Sequence, residues 1–259
     1  MKNKLDQILV IDSGIGGLSV LKELISLLPN EDYVYFGDSK NVPYGEKKEE
    51  AVLNLSITNI SNLLKEYDCK ACVLACNTLS VYCLDELKEH FKDLIFIETV
   101  PNYLEPLKDY KTGDVLVIST PLTSSSKYFD NIKEKRVIPL GMPGLAKIIE
   151  DSKYDEESLF SYFDSFLFNH LNENVKAISL GCTHYPFIKD ELNKYLELKG
   201  FDIKLYDSSK VTGIHLLSEL KNHNLLNDKD VEGDITILNS ILDDKIIEKS
   251  FELLERWKH

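Results

Sequence analysis

Short runs of apolar residues alternate with longer amphipathic stretches along most of the chain. The apolar runs predict buried strands, because strands covered on both faces read as continuous hydrophobic segments. Stretches with apolar positions three or four residues apart predict helices. The predicted strands span residues 8–11, 33–36, 71–75, 94–97, 115–118, 137–140, 177–180, 203–206 and 235–238, and the predicted helices span 18–28, 46–67, 85–91, 158–171, 188–198 and 246–257.

A weak internal repeat lies within this alternation. The strand end at residues 10–13 has a counterpart 107 residues later, at 117–120, and the strand end at 74–78 has one 106 residues later, at 180–184. Chance is the alternative explanation, since strand-to-loop sequences look alike. Strands alternating with helices predict βαβ units and parallel sheets. The repeat then predicts two similar α/β halves, whose strand ends face one another across a cleft.

Composition narrows the class of function. The chain has 259 residues, 43% of them hydrophobic, and a net charge of −13, with a pI near 5.0. This acidic balance argues against nucleic-acid binding, which needs a basic face. No apolar run reaches the roughly 18 residues of a spanning helix, and residues 1–7 carry no signal-peptide pattern. We therefore expect a cytoplasmic protein whose partner is a small molecule rather than nucleic acid or membrane, with a homodimer left open.

The five cysteines are odd in number, which disfavours a full disulfide framework. Cys69 and Cys72 have the spacing of a redox or zinc motif, but Cys76 and Cys83 do not repeat it. Zinc needs four ligands in a tetrahedral array. We therefore predict no metal site, and Cys69, Cys72 and Cys83 are expected to fill the core.

A glycine-rich segment, residues 12–17, joins the first predicted strand to the first helix. Its glycines allow backbone N–H groups to approach an anion at the helix N-terminus. It differs from the dinucleotide fingerprint, because Ser19 stands where a third glycine belongs. The alternative is a tight strand-to-helix turn with Asp12 as its cap.

Two further strand ends carry a thiol beside polar residues. Cys76 precedes Asn77 and Thr78, and a helix N-terminus at this point would raise its thiolate fraction. Cys182 lies two residues before His184, a spacing that allows a thiol–imidazole pair. A buried structural cysteine and a hydrogen-bonded structural histidine are the alternatives.

Together these motifs resemble the glutamate racemases of the aspartate/glutamate racemase superfamily. The matching segments stand in the family's order and spacing, at residues 11–18, 35–38, 42–45, 75–78 and 181–186. The resemblance covers roughly residues 8 to 210 and fades towards the C-terminus. It implies two pseudosymmetric α/β domains with mostly parallel sheets and the active site between them. The first domain would comprise residues 1–97 and 211–259, and the second residues 98–210.

The resemblance also implies roles for particular residues. Cys76 and Cys182 match the two catalytic cysteines, Asp12 the acid that assists the first, and His184 the group that assists the second. These four, with further matching positions, would contact the substrate: Ser13, Pro43, Tyr44, Gly45, Asn77, Thr78, Thr120, Thr123 and Thr183. The implied reaction interconverts L- and D-glutamate without cofactor or metal and supplies D-glutamate for peptidoglycan. One thiol removes the α-proton and the other returns a proton to the opposite face.

Three positions depart from the family pattern. Leu79 stands where a small residue is usual, Leu122 where a glycine is usual, and Ala146 near a usual glutamate. Leu79 and Leu122 could narrow the substrate pocket. A racemase for aspartate or another small acidic amino acid therefore stays open, as does a non-catalytic binding homologue, although a binder would need neither thiol.

Overall fold

Parallel strands form two separate sheets within residues 2–152 and 154–256, the residues that this computed structural model describes. The first sheet has the order β4-β3-β1-β2-β9 and comprises β1 (Gln7–Asp12), β2 (Tyr33–Gly37), β3 (Cys69–Leu74), β4 (Ile95–Glu98) and β9 (Ile235–Asn239). The second has the order β6-β5-β7-β8 and comprises β5 (Asp114–Ser119), β6 (Val137–Gly141), β7 (Val175–Gly181) and β8 (Lys204–Tyr206). The predicted α/β class with two parallel-stranded domains is confirmed.

Helices cover both sheets. They are α1 (Leu18–Leu27), α2 (Glu49–Glu66), α3 (Asn77–His90), α4 (Leu104–Asp109), α5 (Pro121–Ser124), α6 (Lys127–Asp130), α7 (Leu145–Glu150), α8 (Glu156–Phe166), α9 (Lys189–Leu198), α10 (Ser209–Asn222) and α11 (Asp244–Arg256). Short 3₁₀ turns occupy Tyr44–Glu46, Phe168–His170 and Tyr185–Ile188. In the part of the chain that the structure describes, every helix is too short or too polar to span a bilayer.

The two sheets repeat one another in detail. The order β4-β3-β1-β2 corresponds to β8-β7-β5-β6, strand for strand. The pairing of β1 with β3 shifts register between Gln7 and Ile8, and the pairing of β5 with β7 shifts between Asp114 and Val115, the corresponding position. This shared irregularity supports the internal repeat, and it brings the ends of β1 and β3 into the same relation as those of β5 and β7.

The C-terminal segment adds to the first sheet. Strand β9 pairs with β2 in parallel, and α10 lies against α1. Gly213 of α10 makes this contact close, because a Cβ there would lie 2.5 Å from Leu27 Cδ1. Leu216 and Leu220 on the same helix are fully buried in the core. The predicted domain limits at residues 97 and 210 stay a prediction.

Several helices differ from the prediction. Helix α3 begins at Asn77 rather than residue 85, because polar residues of its first turn are buried at the sheet edge and conceal the apolar period. Helix α10 is not predicted from the sequence, since Val211 and Ile214 are exposed and Gly213 interrupts the helical spacing of apolar residues. Helix α8 ends at Phe166, five residues before the predicted end. The predicted end of the last helix, Trp257, lies outside the described residues.

Candidate active site

The carboxyl ends of the strands from both sheets meet around one small cavity. Parallel α/β sheets place their loops, and hence their ligand sites, at this edge. The cavity and its mouth span about 260 Å³, a volume that includes space open to solvent. It is lined by Ser13, Pro43, Tyr44, Gly45, Cys76, Asn77, Thr78, Thr120, Ala146, Gly181, Cys182, Thr183 and His184. The predicted site residues are therefore brought together from four strand ends and the 3₁₀ turn at Tyr44–Glu46.

Two predicted site residues stand just behind this lining. Asp12 accepts a hydrogen bond from Thr183 Oγ1 (3.1 Å), and Thr123 Oγ1 lies 3.0 Å from Thr78 Oγ1. Both are completely buried. They contact lining residues rather than the cavity itself, so they would act on a substrate through their neighbours.

Cys76 caps the N-terminus of α3 and is only 6% exposed. Its thiol donates to Ser13 Oγ at 3.8 Å. Burial raises the pKa of this thiol well above its usual range, and the nearby charge of Asp12 raises it further, whereas the backbone N–H of Leu79 opposes the shift. Cys76 is therefore a neutral thiol in this arrangement, ready to give a proton.

Asp12 bridges the two halves of the molecule. Its carboxylate accepts hydrogen bonds from the backbone N–H of Gly14 (2.9 Å) and, from the other half, from the hydroxyl of Thr183. Burial raises the pKa of Asp12, and the proximity of His184 partly offsets that rise. Among the described residues, the sulfur of Cys76 forms its hydrogen bond with Ser13. Asp12 therefore affects the Cys76 thiol through its charge rather than through a hydrogen bond.

The second thiol belongs to a chain of three titratable groups. Cys182 Sγ lies 3.8 Å from His184 Nδ1, and His184 Nε2 lies 2.7 Å from Glu150 Oε2. Burial alone would lower the pKa of His184, but its hydrogen bonds with Cys182 and Glu150 raise that pKa well above the usual range. The imidazole can therefore hold a proton beside Cys182.

Glu150 is the functional residue that the sequence analysis did not identify. Its carboxylate also accepts hydrogen bonds from the backbone N–H of Ile15 (3.0 Å) and from Ser39 Oγ (2.7 Å), both in the first half. These donors and His184 lower its pKa, although burial acts in the opposite direction. A signal was present in the sequence, since Glu150 stands one helical turn after Ala146, near which the family has a glutamate.

Hydroxyl groups form the wall opposite this chain. Thr78, Thr120 and Thr123 contact one another through their side-chain oxygens at 3.0–3.1 Å. Tyr44 is fully buried and donates to Asp38 (2.7 Å), which fixes the 3₁₀ turn beside them. This wall offers neutral donors and acceptors, and the lining contains no lysine or arginine.

Only one of the three departures from the family pattern reaches the cavity. Ala146 lines it, whereas Leu79 points into the core beside Leu74 and Cys83, and Leu122 uses its carbonyl to accept from Tyr82. Neither leucine is among the residues that line the cavity, so the narrowing of the pocket by Leu79 and Leu122 stays a prediction.

The remaining cysteines are structural. Cys69, Cys72 and Cys83 are buried in the core of the first half, as predicted, and all five cysteines are free. Within residues 2–152 and 154–256, no group of three or more His, Cys, Asp or Glu side chains is arranged to hold a metal ion.

The chain is similar to bacterial glutamate racemases in both sequence and structure. The glutamate racemase of Clostridium acetobutylicum is 37% identical over 260 residues, which cover 98% of this chain and 100% of that protein. The crystal structure of glutamate racemase isoform RacE1 from Bacillus anthracis matches with a TM-score of 0.87 and 28% identity, over 98% of this chain and 95% of that one. The structure of the Francisella tularensis glutamate racemase in complex with D-glutamate matches with a TM-score of 0.83 and 30% identity, over 97% and 94% of the two chains. No family model matches the chain.

Proposed function

Since the chain belongs to the glutamate racemase family, we propose that it interconverts L- and D-glutamate, with Cys76 and Cys182 as the two proton-transferring groups. The single observation that carries this proposal is that two free, buried thiols line one small cavity from opposite halves of the molecule. Two bases on opposite sides of the α-carbon can invert it without turning the substrate over.

The proton transfers balance within this pair. With L-glutamate, the thiolate of Cys182 takes the α-proton and becomes a thiol, leaving a carbanion. The thiol of Cys76 then gives its proton to the opposite face and becomes a thiolate. D-glutamate follows the reverse path, starting from the Cys76 thiolate. Cys182 then releases its proton to solvent and Cys76 takes one up, which returns the enzyme to its starting form.

The protonation of the resting site fits the first of these directions. A raised pKa keeps Cys76 protonated, as the acid must be. His184 can retain a proton beside Cys182, with Glu150 balancing its charge. These two features support Cys76 as the acid in the L-to-D direction.

Neutral hydrogen-bond donors stabilise the carbanion in this mechanism. Charge develops on the α-carboxylate as the proton leaves, and preorganised hydrogen-bond donors in a site shielded from water stabilise such charge strongly. The side chains of Asn77, Thr78 and Thr183 line the cavity, and the first turn of α3 presents its backbone N–H groups at the same edge. No step in this scheme requires a cofactor.

We further propose that the product serves a cytoplasmic route to peptidoglycan. Membership of the glutamate racemase family supports this role.

The activity is tested by chiral chromatography on purified protein treated with a chelator and freed of small molecules. L- and D-glutamate should interconvert, and kcat/KM for glutamate should exceed that for aspartate. A greater kcat/KM for aspartate would assign the other substrate, and activity that returned only with a metal or pyridoxal phosphate would overturn the cofactor-independent mechanism.

A further inference from the structure

A chain of hydrogen bonds continues beyond Glu150 into the C-terminal segment. Asn239 Nδ2 donates to Ser39 Oγ (2.9 Å), and Ser39 Oγ donates to Glu150 Oε1 (2.7 Å). The sheet explains the meeting, because Asn239 ends β9 in register with Gly37 at the end of β2. Cys182, His184, Glu150, Ser39 and Asn239 thus form one continuous path across both halves of the molecule.

The direction of each donor is fixed along this path. The oxygen of the Asn239 side chain accepts from the backbone N–H of Ile241 (2.9 Å), so its amide nitrogen must face Ser39. Because Ser39 accepts from that nitrogen, its own proton points to Glu150. The carboxylate therefore receives a hydroxyl donor on Oε1, while Oε2 receives His184 and the backbone N–H of Ile15.

We infer that Ser39 and Asn239 are positioning residues for the Cys182 half of the reaction, acting by holding the Glu150 carboxylate in the orientation that orients His184. This inference rests on the proposed function. Neither residue lines the cavity, and Asn239 lies in the C-terminal segment beyond the motifs that the sequence analysis identified. Its contribution comes from the strand that completes the first sheet.

The inference is specific to one thiol. Among the described residues Cys76 bonds to Ser13 and shares no hydrogen bond with this path, whereas Cys182 reaches it through His184. Loss of the Ser39 hydroxyl should therefore slow proton removal from L-glutamate and spare proton removal from D-glutamate. A general weakening of the fold would slow both.

Each half of the reaction can be measured alone in heavy water. A Cys76→Ala enzyme keeps only Cys182 and should exchange the α-proton of L-glutamate, and a Cys182→Ala enzyme keeps only Cys76 and should exchange that of D-glutamate. In these two backgrounds, Ser39→Ala should slow the L-exchange about 10- to 100-fold, the effect of losing a hydrogen bond to a charged group, and leave the D-exchange within about twofold.

Two further variants separate geometry from folding. Ser39→Thr keeps the hydroxyl and should restore most of the L-exchange. Asn239→Asp has nearly the same shape but cannot donate, so the Ser39 proton turns away from Glu150 and the L-exchange should fall as in Ser39→Ala. Ser240→Ala is the matched control, because Ser240 Oγ accepts from the Lys40 backbone N–H in the same loop contact without reaching Glu150.

The outcomes are distinguishable. An equal loss of both exchanges, or an unchanged L-exchange in Ser39→Ala and Asn239→Asp, would overturn the positioning role and leave the racemase proposal standing. Wild-type protein that does not racemise glutamate would overturn the proposed function itself. Racemisation by the wild type without L-exchange in Cys76→Ala would overturn the division between the thiols, and the inference with it.

Discussion

The two thiols have unlike neighbours at the scale of single residues. Cys76 bonds to a hydroxyl and lies near a buried carboxyl group, whereas Cys182 bonds to an imidazole that a carboxylate holds. Each neighbour set affects its own thiol, so replacements should reveal which thiol serves which enantiomer.

Replacing either thiol with alanine should reduce racemisation by several orders of magnitude in both directions, and the double variant should be little worse, because the two act as a unit.

In heavy water, Cys76→Ser should lose α-proton exchange with D-glutamate more than with L-glutamate, and Cys182→Ser should show the opposite bias. Asp12→Asn should resemble Cys76→Ser and lose exchange with D-glutamate more, whereas His184→Asn should resemble Cys182→Ser and lose exchange with L-glutamate more. The measurement is proton NMR of each enantiomer, and near wild-type racemisation by either cysteine variant would refute the mechanism.

Glu150→Gln tests the buried ion pair through its pH dependence. The raised pKa of His184 contributes stability below about pH 6.5, which is lost as the pH rises through the raised value. The lowered pKa of Glu150 contributes stability above about pH 4.5, which is lost as the pH falls through the lowered value. The loss of unfolding free energy in the variant, relative to wild type, should therefore be largest between about pH 4.5 and 6.5.

Denaturant titration across this pH range measures the difference. Asp151→Asn is the matched control, because Asp151 follows Glu150 in the chain but pairs with the exposed Lys147. A penalty for Glu150→Gln that was constant with pH would mean that the pair is not charged in the folded protein.

At the scale of elements, the strands were predictable and the polar ends of helices were not. The nine predicted strands all appear, because each contains a short run of apolar residues, which is fully buried in central strands such as β1, β3 and β5 and partly exposed in edge strands such as β6 and β9. The first turn of α3 escaped prediction because Asn77, Thr78 and Ser80 are buried for their hydrogen bonds rather than their hydrophobicity. Glu150 escaped for the same reason, since a glutamate at a helix end usually faces solvent. The motifs identified residues that touch the cavity, whereas the groups behind them depend on contacts between distant segments.

The turn at Tyr44–Glu46 lies against the start of α5 in the other half, so it should set the geometry of the cavity there. A Cβ at Gly45 would lie 2.3 Å from Thr120 Cβ, so in Gly45→Ala the turn or Thr120 must move. A displacement of about 1 Å at a reacting centre can cost on the order of 100-fold in rate. We expect kcat/KM to fall by that order while the melting temperature stays nearly constant.

Gly200→Ala should give the reverse pattern and serves as the control. Gly200 has a φ of 81° and open space around it, so a side chain there strains the backbone between α9 and β8 without meeting the cavity. Thermal unfolding and steady-state kinetics of both variants decide the matter. A lowered melting temperature with normal kcat/KM for Gly45→Ala would mean that the turn supports folding rather than the geometry of the cavity.

At the scale of the whole molecule, the net charge of −13 opposes an anionic substrate. Raising the ionic strength from about 0.01 M to about 0.1 M shortens the Debye length from about 30 Å to about 10 Å and screens this repulsion. KM for glutamate should therefore fall with added salt, while kcat changes little. Potassium chloride and tetramethylammonium chloride should act alike, and a KM that rose with either salt would show that local attraction outweighs the global charge.

The matching strand order of the two sheets gives each half one thiol at the same strand end, yet the neighbours of the thiols differ. L- and D-glutamate have the same free energy in water, so the equilibrium constant of their interconversion is one. The ratio of kcat/KM for the two directions must then equal one in the wild type and in every variant. Unequal neighbours can only make the enzyme hold one enantiomer more tightly and convert it more slowly, in the same proportion. An enzyme built from two similar halves is thus free to differ in each half without ever favouring one product.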